Sequence, residues 1–448
     1  MFKKNNYILL CGLVLALSIT GTCNAEKLEI VVAQAVASNP IILGQKANRL
    51  VQDSKLRESL GGFLPKIDFA AAYGRDHNKN YFTRLESNTG ELTLTRREAG
   101  ISIKQMLFDG YAVRAEVEAN TALVQSSSYL VSARLEDVIL QVTAAYIETI
   151  MQRSIFIHAK DSVNNHQNII DQLKNGSIKN AQPGDMELAK SRLSLAQTVL
   201  LDLQSDIRIS QADYIKVVGT KPGVMFRPEQ PQRTIPINEE AAVALALTNN
   251  PLVSLGDAEI RAARAEKRGA KAGYFPKIDL ELAGTNNKNV DGINQKTNSL
   301  SAMLQMKYNI FRGGKDLAAE RRSAWQLEAK KESQNEALRI IEQNVRRSWS
   351  DFVNYKGQLV YLKQRVDTLS DTKDAYYKQV SNGERRILDL LDAEQELYAA
   401  KANFVAVQYK ELLSRFFILH GIGKIKEHFN VQAPIIAANK SSNWLNGF

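Results

Sequence analysis

Thiols are nearly missing from this chain. Its only cysteines are Cys11 and Cys23. Both precede the point where a secretory leader would be cut, so no disulfide and no cysteine-ligated metal is expected in the processed protein. Histidine is scarce too: His77, His158, His166, His420 and His428 include no pair at the i, i+4 spacing of a helical metal site. Gly313-Gly314-Lys315-Asp316 lacks the first glycine and the Ser/Thr of a phosphate loop. With no nucleophile–base arrangement either, neither an enzyme nor a cofactor is expected. Proline and glycine number only 10 and 25 in 448 residues and sit mostly at junctions, which leaves long segments free to be unbroken helix. Beyond Ala25 no apolar run approaches the ~20 residues of a spanning helix, so any membrane crossing must be made by strands. The formal charge is +10, but the basic residues are scattered among acids along helices, without a basic stripe and interleaved aromatics. That pattern argues against nucleic acid as a partner.

What is present begins with a secretory signal over residues 1–25. Lys3 and Lys4 form its basic region, Tyr7 to Ile19 its apolar run, and Cys23-Asn24-Ala25 its small-residue cleavage site, placing the mature start at Glu26. The 44% hydrophobic content supports a core, yet Ala, Gln, Glu and Lys dominate the long segments, which suits narrow helical seams better than a thick globule.

The mature chain reads as one half used twice. Pro65-Lys66-Ile67-Asp68 returns as Pro276-Lys277-Ile278-Asp279, and Asn39-Pro40 returns at the same offset as Asn250-Pro251. The first repeat is placed at 26–220, a linker at 221–237 with four prolines from Lys221 to Pro236, the second repeat at 238–423, and a tail without clear periodicity at 424–448. After each Pro-Lys-Ile-Asp the hydrophobic period is two. Strands are expected near 66–74, 95–108, 277–284 and 299–310, with a polar loop from Arg75 to Gly90. Each run approaches the ~9–11 residues that a tilted strand needs to cross a bilayer. After Phe108-Asp109-Gly110 and Phe311-Arg312-Gly313 the period becomes helical, with long helices at 110–175 and 314–382 and return helices at 185–219 and 385–420. Leu338, Ile341, Val345, Ser348, Phe352, Tyr355, Leu359, Leu362, Val366 and Leu369 alternate in steps of three and four, a coiled-coil seam that needs a partner helix.

Four strands cannot close a membrane barrel, because open edges in lipid leave backbone groups unpaired. Strands pooled by a trimer number twelve. At this point the chain resembles the TolC family of outer-membrane channel-tunnel proteins. The likeness rests on the duplication, the Asn-Pro before a helix, Pro-Lys-Ile-Asp at the start of a strand, Phe-x-Gly at its end, and above all Asn382-Gly383-Glu384-Arg385-Arg386-Ile387-Leu388-Asp389-Leu390-Leu391-Asp392-Ala393. The resemblance implies a mainly α fold with β-hairpins. Long coiled-coil helices would form a periplasmic tunnel, and four strands per chain would enter a twelve-stranded barrel in the outer membrane of a Gram-negative bacterium. It implies a homotrimer, contact with outer-membrane lipid, a periplasmic adaptor (a membrane fusion protein), and an inner-membrane transporter driven by ATP (ABC type) or protons.

It also assigns residues. Asp389 and Asp392 match the aspartate rings at the narrow periplasmic mouth, where six carboxylates would favour cations. Taken as residues alone, they complement the dipole of a helix N-terminus. Arg385 matches an arginine that latches the mouth, with Asp185 as its expected partner; Val380 stands where some members carry a tyrosine of that latch. Gly176 and Gly383 would form the rim that meets the adaptor. Ala212-Asp213-Tyr214 with Val218-Gly219 and Pro222 resembles the branch used in type I protein secretion, ahead of small-molecule efflux. A periplasmic coiled-coil scaffold with soluble hairpins is the reading of another class.

Overall fold

The computed structural model describes residues 27–231 and 235–431. The leader with Cys11 and Cys23, part of the linker and the last residues lie outside the described residues. The first half comprises α1 (Leu28–Ser38), α2 (Pro40–Leu60), β1 (Lys66–Asn78), α3 (Tyr81–Glu86), β2 (Leu92–Phe108), α4 (Ala112–Lys174) and α5 (Asp185–Val218). The second comprises α6 (Glu239–Asn249), α7 (Pro251–Gly269), β3 (Lys277–Lys288), β4 (Lys296–Lys307), α8 (Lys315–Asn382), α9 (Ile387–Gly421) and the short α10 (Ile425–His428). α4 and α8 run 63 and 68 residues, about 100 Å each at 1.5 Å per residue. The return helices are half that length. α2 and α7 fill the remainder, α2 packing on α4 and α7 lying between α4 and α8.

The duplicated Asn-Pro is a structural bolt. Asn39 accepts a hydrogen bond from Ile41 N at 2.9 Å and Asn250 accepts one from Leu252 N at 3.0 Å, each capping a helix whose first residue is proline. Each amide also donates outward, Asn39 to Val217 O and Asn250 to Gly421 O, so every cap is pinned to the end of its return helix. The largest core gathers at this level, where α1, α6 and α10 surround the middle of α4 and the last turns of α5 and α9. Tyr146 straps the linker there: its hydroxyl accepts from Phe226 N and donates to Phe226 O.

All ten seam residues predicted on α8 are buried or half-buried, and α8 packs along α9. The strands form one antiparallel sheet in the order β1-β2-β3-β4. Its limits differ from the sequence pattern. β1 continues to Asn78 because polar cross-strand pairs, His77–Thr93 and Asp76–Arg96, sustain the ladder as apolar pairs would. β4 stops at Lys307, opposite Lys277: the next partner is Pro276, which has no N–H to give. The expected polar loop contains α3, set by a capping box in which Asn80 accepts from Thr83 N and Thr83 Oγ1 accepts from Asn80 N.

Behind the central core, α10 is tied to α4. Lys426 donates to Ser132 Oγ at 2.7 Å and stands 3.4 Å from Glu136, while His420 Nε2 meets Asp137 at 3.0 Å. Glu136 is 2% exposed and its oxygens have no hydrogen-bond partner of good geometry. Burial pushes its carboxyl up to about 7, against the pull of Lys426 and His420. Folding therefore takes up a proton between the ordinary glutamate range and that value, and stability falls as pH rises through this window, by up to ~3 kcal/mol. Thermal melts of the detergent-solubilised protein at pH 5 and pH 8 should show this slope in the wild type and lose most of it in Glu136→Gln.

Candidate functional site

Two regions of this fold offer chemistry: the sheet and the far tip of the helices. The register sorts the sheet into two unlike faces. Ile67 opposes Ile103, Phe69 opposes Ile101, Leu282 pairs with both Ile103 and Ala302, Leu280 pairs with Leu304, and Gly284 with Leu300. These share one face. The other carries Lys66, Asp68, Ser102, Lys104, Asp279, Glu281, Ser301 and Gln305. On that face Lys104 meets Asp279 at 3.0 Å and Gln305 donates to Glu281 at 2.7 Å. The apolar face is bare: Phe69 is 73% exposed and Leu300 89%. β1 and β4, the outer strands, each have one edge without a partner among the described residues. A largely exposed apolar face opposite a polar one is what a barrel wall between lipid and water requires.

At the tip, the α4–α5 and α8–α9 hairpins meet. An apolar plug of Ile169, Ile170, Ile178, Val380, Ile387, Leu390 and Leu391 joins them. Val380 is fully buried in it, so the position expected to lack a latch hydroxyl contributes packing instead. Gln172 Nε2 donates to Tyr377 Oη at 2.9 Å across the hairpins. The hydrogen bond to Asp374 pushes the Lys373 ammonium up, with a smaller pull from Glu394.

Asp389 and Asp392 both lie in the opening turns of α9, half-exposed. Neither is bare. Asp389 accepts from Arg385 at 3.1 Å, and Asp392 accepts from Arg192 of α5 at 2.7 Å. Arg385 also donates to Gln379 Oε1 at 2.6 Å and lies 3.9 Å above the Tyr376 ring. The expected Arg385–Asp185 latch is not made within one chain. Arg385 finds its acceptors on its own hairpin, with Asp389 one turn away, and Asp185 instead accepts from Gln182 N at 2.7 Å, ordering the first tip loop. Gly176 and Gly383 both cap long helices with positive φ. Their surroundings differ: a Cβ on Gly383 would lie 2.7 Å from Asn180, whereas nothing lies within 4 Å of one on Gly176. Among the described residues no cluster of three or more potential metal ligands occurs.

The family model described as outer membrane efflux protein matches residues 242–415. The chain is 23% identical over 446 residues to the outer membrane protein TolC of Escherichia coli (strain K12), covering 93% of this chain and 87% of that protein. It is 20% identical over 396 residues to the proteases secretion protein PrtF of Dickeya chrysanthemi, covering 84% and 85%. Among solved structures, a crystal structure of CusC concerned with folding and transmembrane channel formation superposes with a TM-score of 0.77 at 13% identity, covering 88% of this chain and 91% of that one. Over nearly its whole length the chain is similar to TolC-family outer-membrane channels. It is therefore an outer-membrane exit channel of a tripartite export system, not an enzyme, and its helices project into the periplasm.

Arg192 is the residue the sequence does not reveal. Its role depends on which face of α5 meets α9 across the two halves, and heptads within each helix do not carry that register. A guanidinium at hydrogen-bond distance offsets an exposed carboxylate by about 1 kcal/mol at 4 Å in water, roughly five-fold in local cation occupancy. In planar bilayers, Arg192→Gln should raise cation selectivity and deepen block by a trivalent cation added on the periplasmic side. Asp389→Asn/Asp392→Asn should relieve that block. Equal block in all three proteins would remove both aspartates from the conducting path.

Proposed function

We propose that three copies of this chain close into one duct, with twelve strands in the outer membrane and a helical tunnel below, and that the duct serves as the passive exit of type I protein secretion. The observation that carries the duct is the sheet: an exposed apolar face, a polar opposite face and two unpaired edges in one four-stranded unit. Pairing β4 of each copy with β1 of the next satisfies all six edges at once, which eight strands from a dimer would do only by closing a barrel too narrow for an open channel. Asp389 and Asp392 then line the periplasmic mouth, tempered by Arg385 and Arg192, and the internal ties of Arg385 and Asp185 stiffen each hairpin rather than bridging the two. A periplasmic adaptor meets the rim at Gly176, where the backbone is open to close approach, in preference to Gly383, which Asn180 already covers. An inner-membrane transporter, of ABC type for this route, supplies the energy.

The likeness to PrtF over most of both chains supports the secretion route. The stretch around Tyr214 supports it less than its sequence suggests, because Tyr214 is fully buried and Gly219 is a helix cap with φ 89°, so both residues have packing roles sufficient to explain them. Export of small molecules is the second reading, favoured by the description of the matching family. Deleting the gene decides between them. Loss of one or more polypeptides from the culture medium, with unchanged susceptibility to hydrophobic drugs, is the result expected. Drug sensitisation with an intact set of secreted proteins would assign the duct to efflux.

A further inference from the structure

A cavity of about 420 Å³ lies where the strands meet the helices, between the start of α4 and the end of α7. Its lining combines two aromatic rings, Tyr111 and Phe275, with four cations, Arg114, Lys267, Arg268 and Lys271. The only carboxylate in the lining is Glu118, which is shared by Arg114, at 3.2 Å, and Arg268. Lys271 reaches Glu320 at 3.5 Å, and Lys267 has no ion pair among the described residues. The site thus holds a clear excess of positive charge beside exposed aromatic surface.

The register fixes which side of the sheet this cavity lies on. Phe108 opposes Ile278 after a bulge in β2, which places it on the face of Leu280, Leu304 and Met306. Its ring meets Tyr111 edge-on at 5.3 Å and Phe275 at 6.3 Å, and the latter two meet at 6.4 Å. The aromatic cluster therefore continues the lipid-facing surface, and the cations follow it directly on the helical side. The junction is built tightly. Gly110 has φ 76°, and a Cβ there would fall 2.7 Å from Ala272 O and 2.9 Å from the Phe275 side chain, so only glycine lets the start of α4 close against the end of α7.

Aromatic rings at the water boundary with basic groups just beyond them match the headgroup level of a bilayer. We infer that this cavity binds the headgroup of an anionic phospholipid of the periplasmic leaflet, with its acyl chains lying along Phe108 and the apolar face of β2 and β3. The phosphate accepts from Lys267, Lys271 and Arg114, and the ring edges of Tyr111 and Phe275 border the glycerol region. Such a lipid would fix the height of the barrel in the membrane and brace the joint between strands and tunnel. The inference rests on the membrane placement of the sheet, and the test separates the two.

The purified, delipidated protein is offered equimolar phosphatidylglycerol and phosphatidylethanolamine, and retained lipid is counted by native mass spectrometry. Phosphatidylglycerol should be retained several-fold over phosphatidylethanolamine. Lys267→Gln/Lys271→Gln, and separately Lys267→Glu, should abolish the preference, while Lys288→Gln/Lys296→Gln at the opposite end of β3 and β4 should preserve it. Inorganic phosphate in millimolar excess should leave the lipid in place; displacement by it would show a simple anion site and overturn the proposal. Equal retention of the two lipids by the wild type would also overturn it. Bilayer conductance of the same preparations keeps the outcomes distinct: conduction without lipid preference sinks the lipid site alone, and no conduction from the wild type sinks the channel.

Discussion

An unpaired strand edge cannot rest in hydrocarbon, where each missing backbone hydrogen bond costs several kcal/mol. β1 and β4 each present such an edge, on a sheet with one face covered in Phe69, Ile101, Leu282, Leu300 and Leu304. The edges demand more copies of the chain, and the apolar face demands lipid. Everything below the sheet follows from meeting both demands together. Each strand connects to its own helix, α2 to β1, β2 to α4, α7 to β3 and β4 to α8, so closing the strands into a ring also closes the helices into a tube.

That coupling explains why the duplicated motifs lie at junctions. Pro65 and Pro276 end the helical hydrogen-bonding pattern just before a strand, and Gly110, Gly313 and Gly314, all with positive φ, turn the chain back into helix. Asn39 and Asn250 bolt the short helices α2 and α7 to the ends of the return helices, so that one long helix is flanked by two shorter ones placed end to end. The tip, some 100 Å from the sheet by helix length, is held by an apolar plug with polar ties around it. Its two aspartates are each paired with an arginine, so in the proposed duct they would set a softer electrostatic mouth than two bare carboxylates per chain.

The duplication, strand positions and α8 seam were legible because they depend on period, and period survives in sequence. The α8 seam in particular marks ten positions that are all buried or half-buried. Less legible were features set by a few hydrogen bonds. α3 hides in a polar stretch, since its signal is Asn80 and Thr83 three residues apart rather than any apolar pattern. The Arg192–Asp392 pair depends on the packing of one half against the other. Arg385 was recognisable as a tip residue, but its choice of Asp389 over Asp185 is decided by distance along its own hairpin. The cavity at the strand–helix junction combines Arg114 with Lys267 and Lys271, far apart in the chain, and the packing of α4 on α7 brings them together.

In the proposed barrel, the alternation along each strand separates lipid from water. The chain's only cysteines, Cys11 and Cys23, precede the cleavage point expected from the sequence, so single cysteines introduced into the strands would be read without background once the leader is removed. The direct measurement is labelling of Ser299→Cys, Ser301→Cys and Gln305→Cys beside Leu300→Cys, Ala302→Cys and Leu304→Cys in reconstituted vesicles, using a membrane-impermeant thiol reagent. Fast labelling at the odd positions and protection at the even ones is the predicted result. Uniform labelling along the strand would contradict a lipid-facing sheet, and with it the duct.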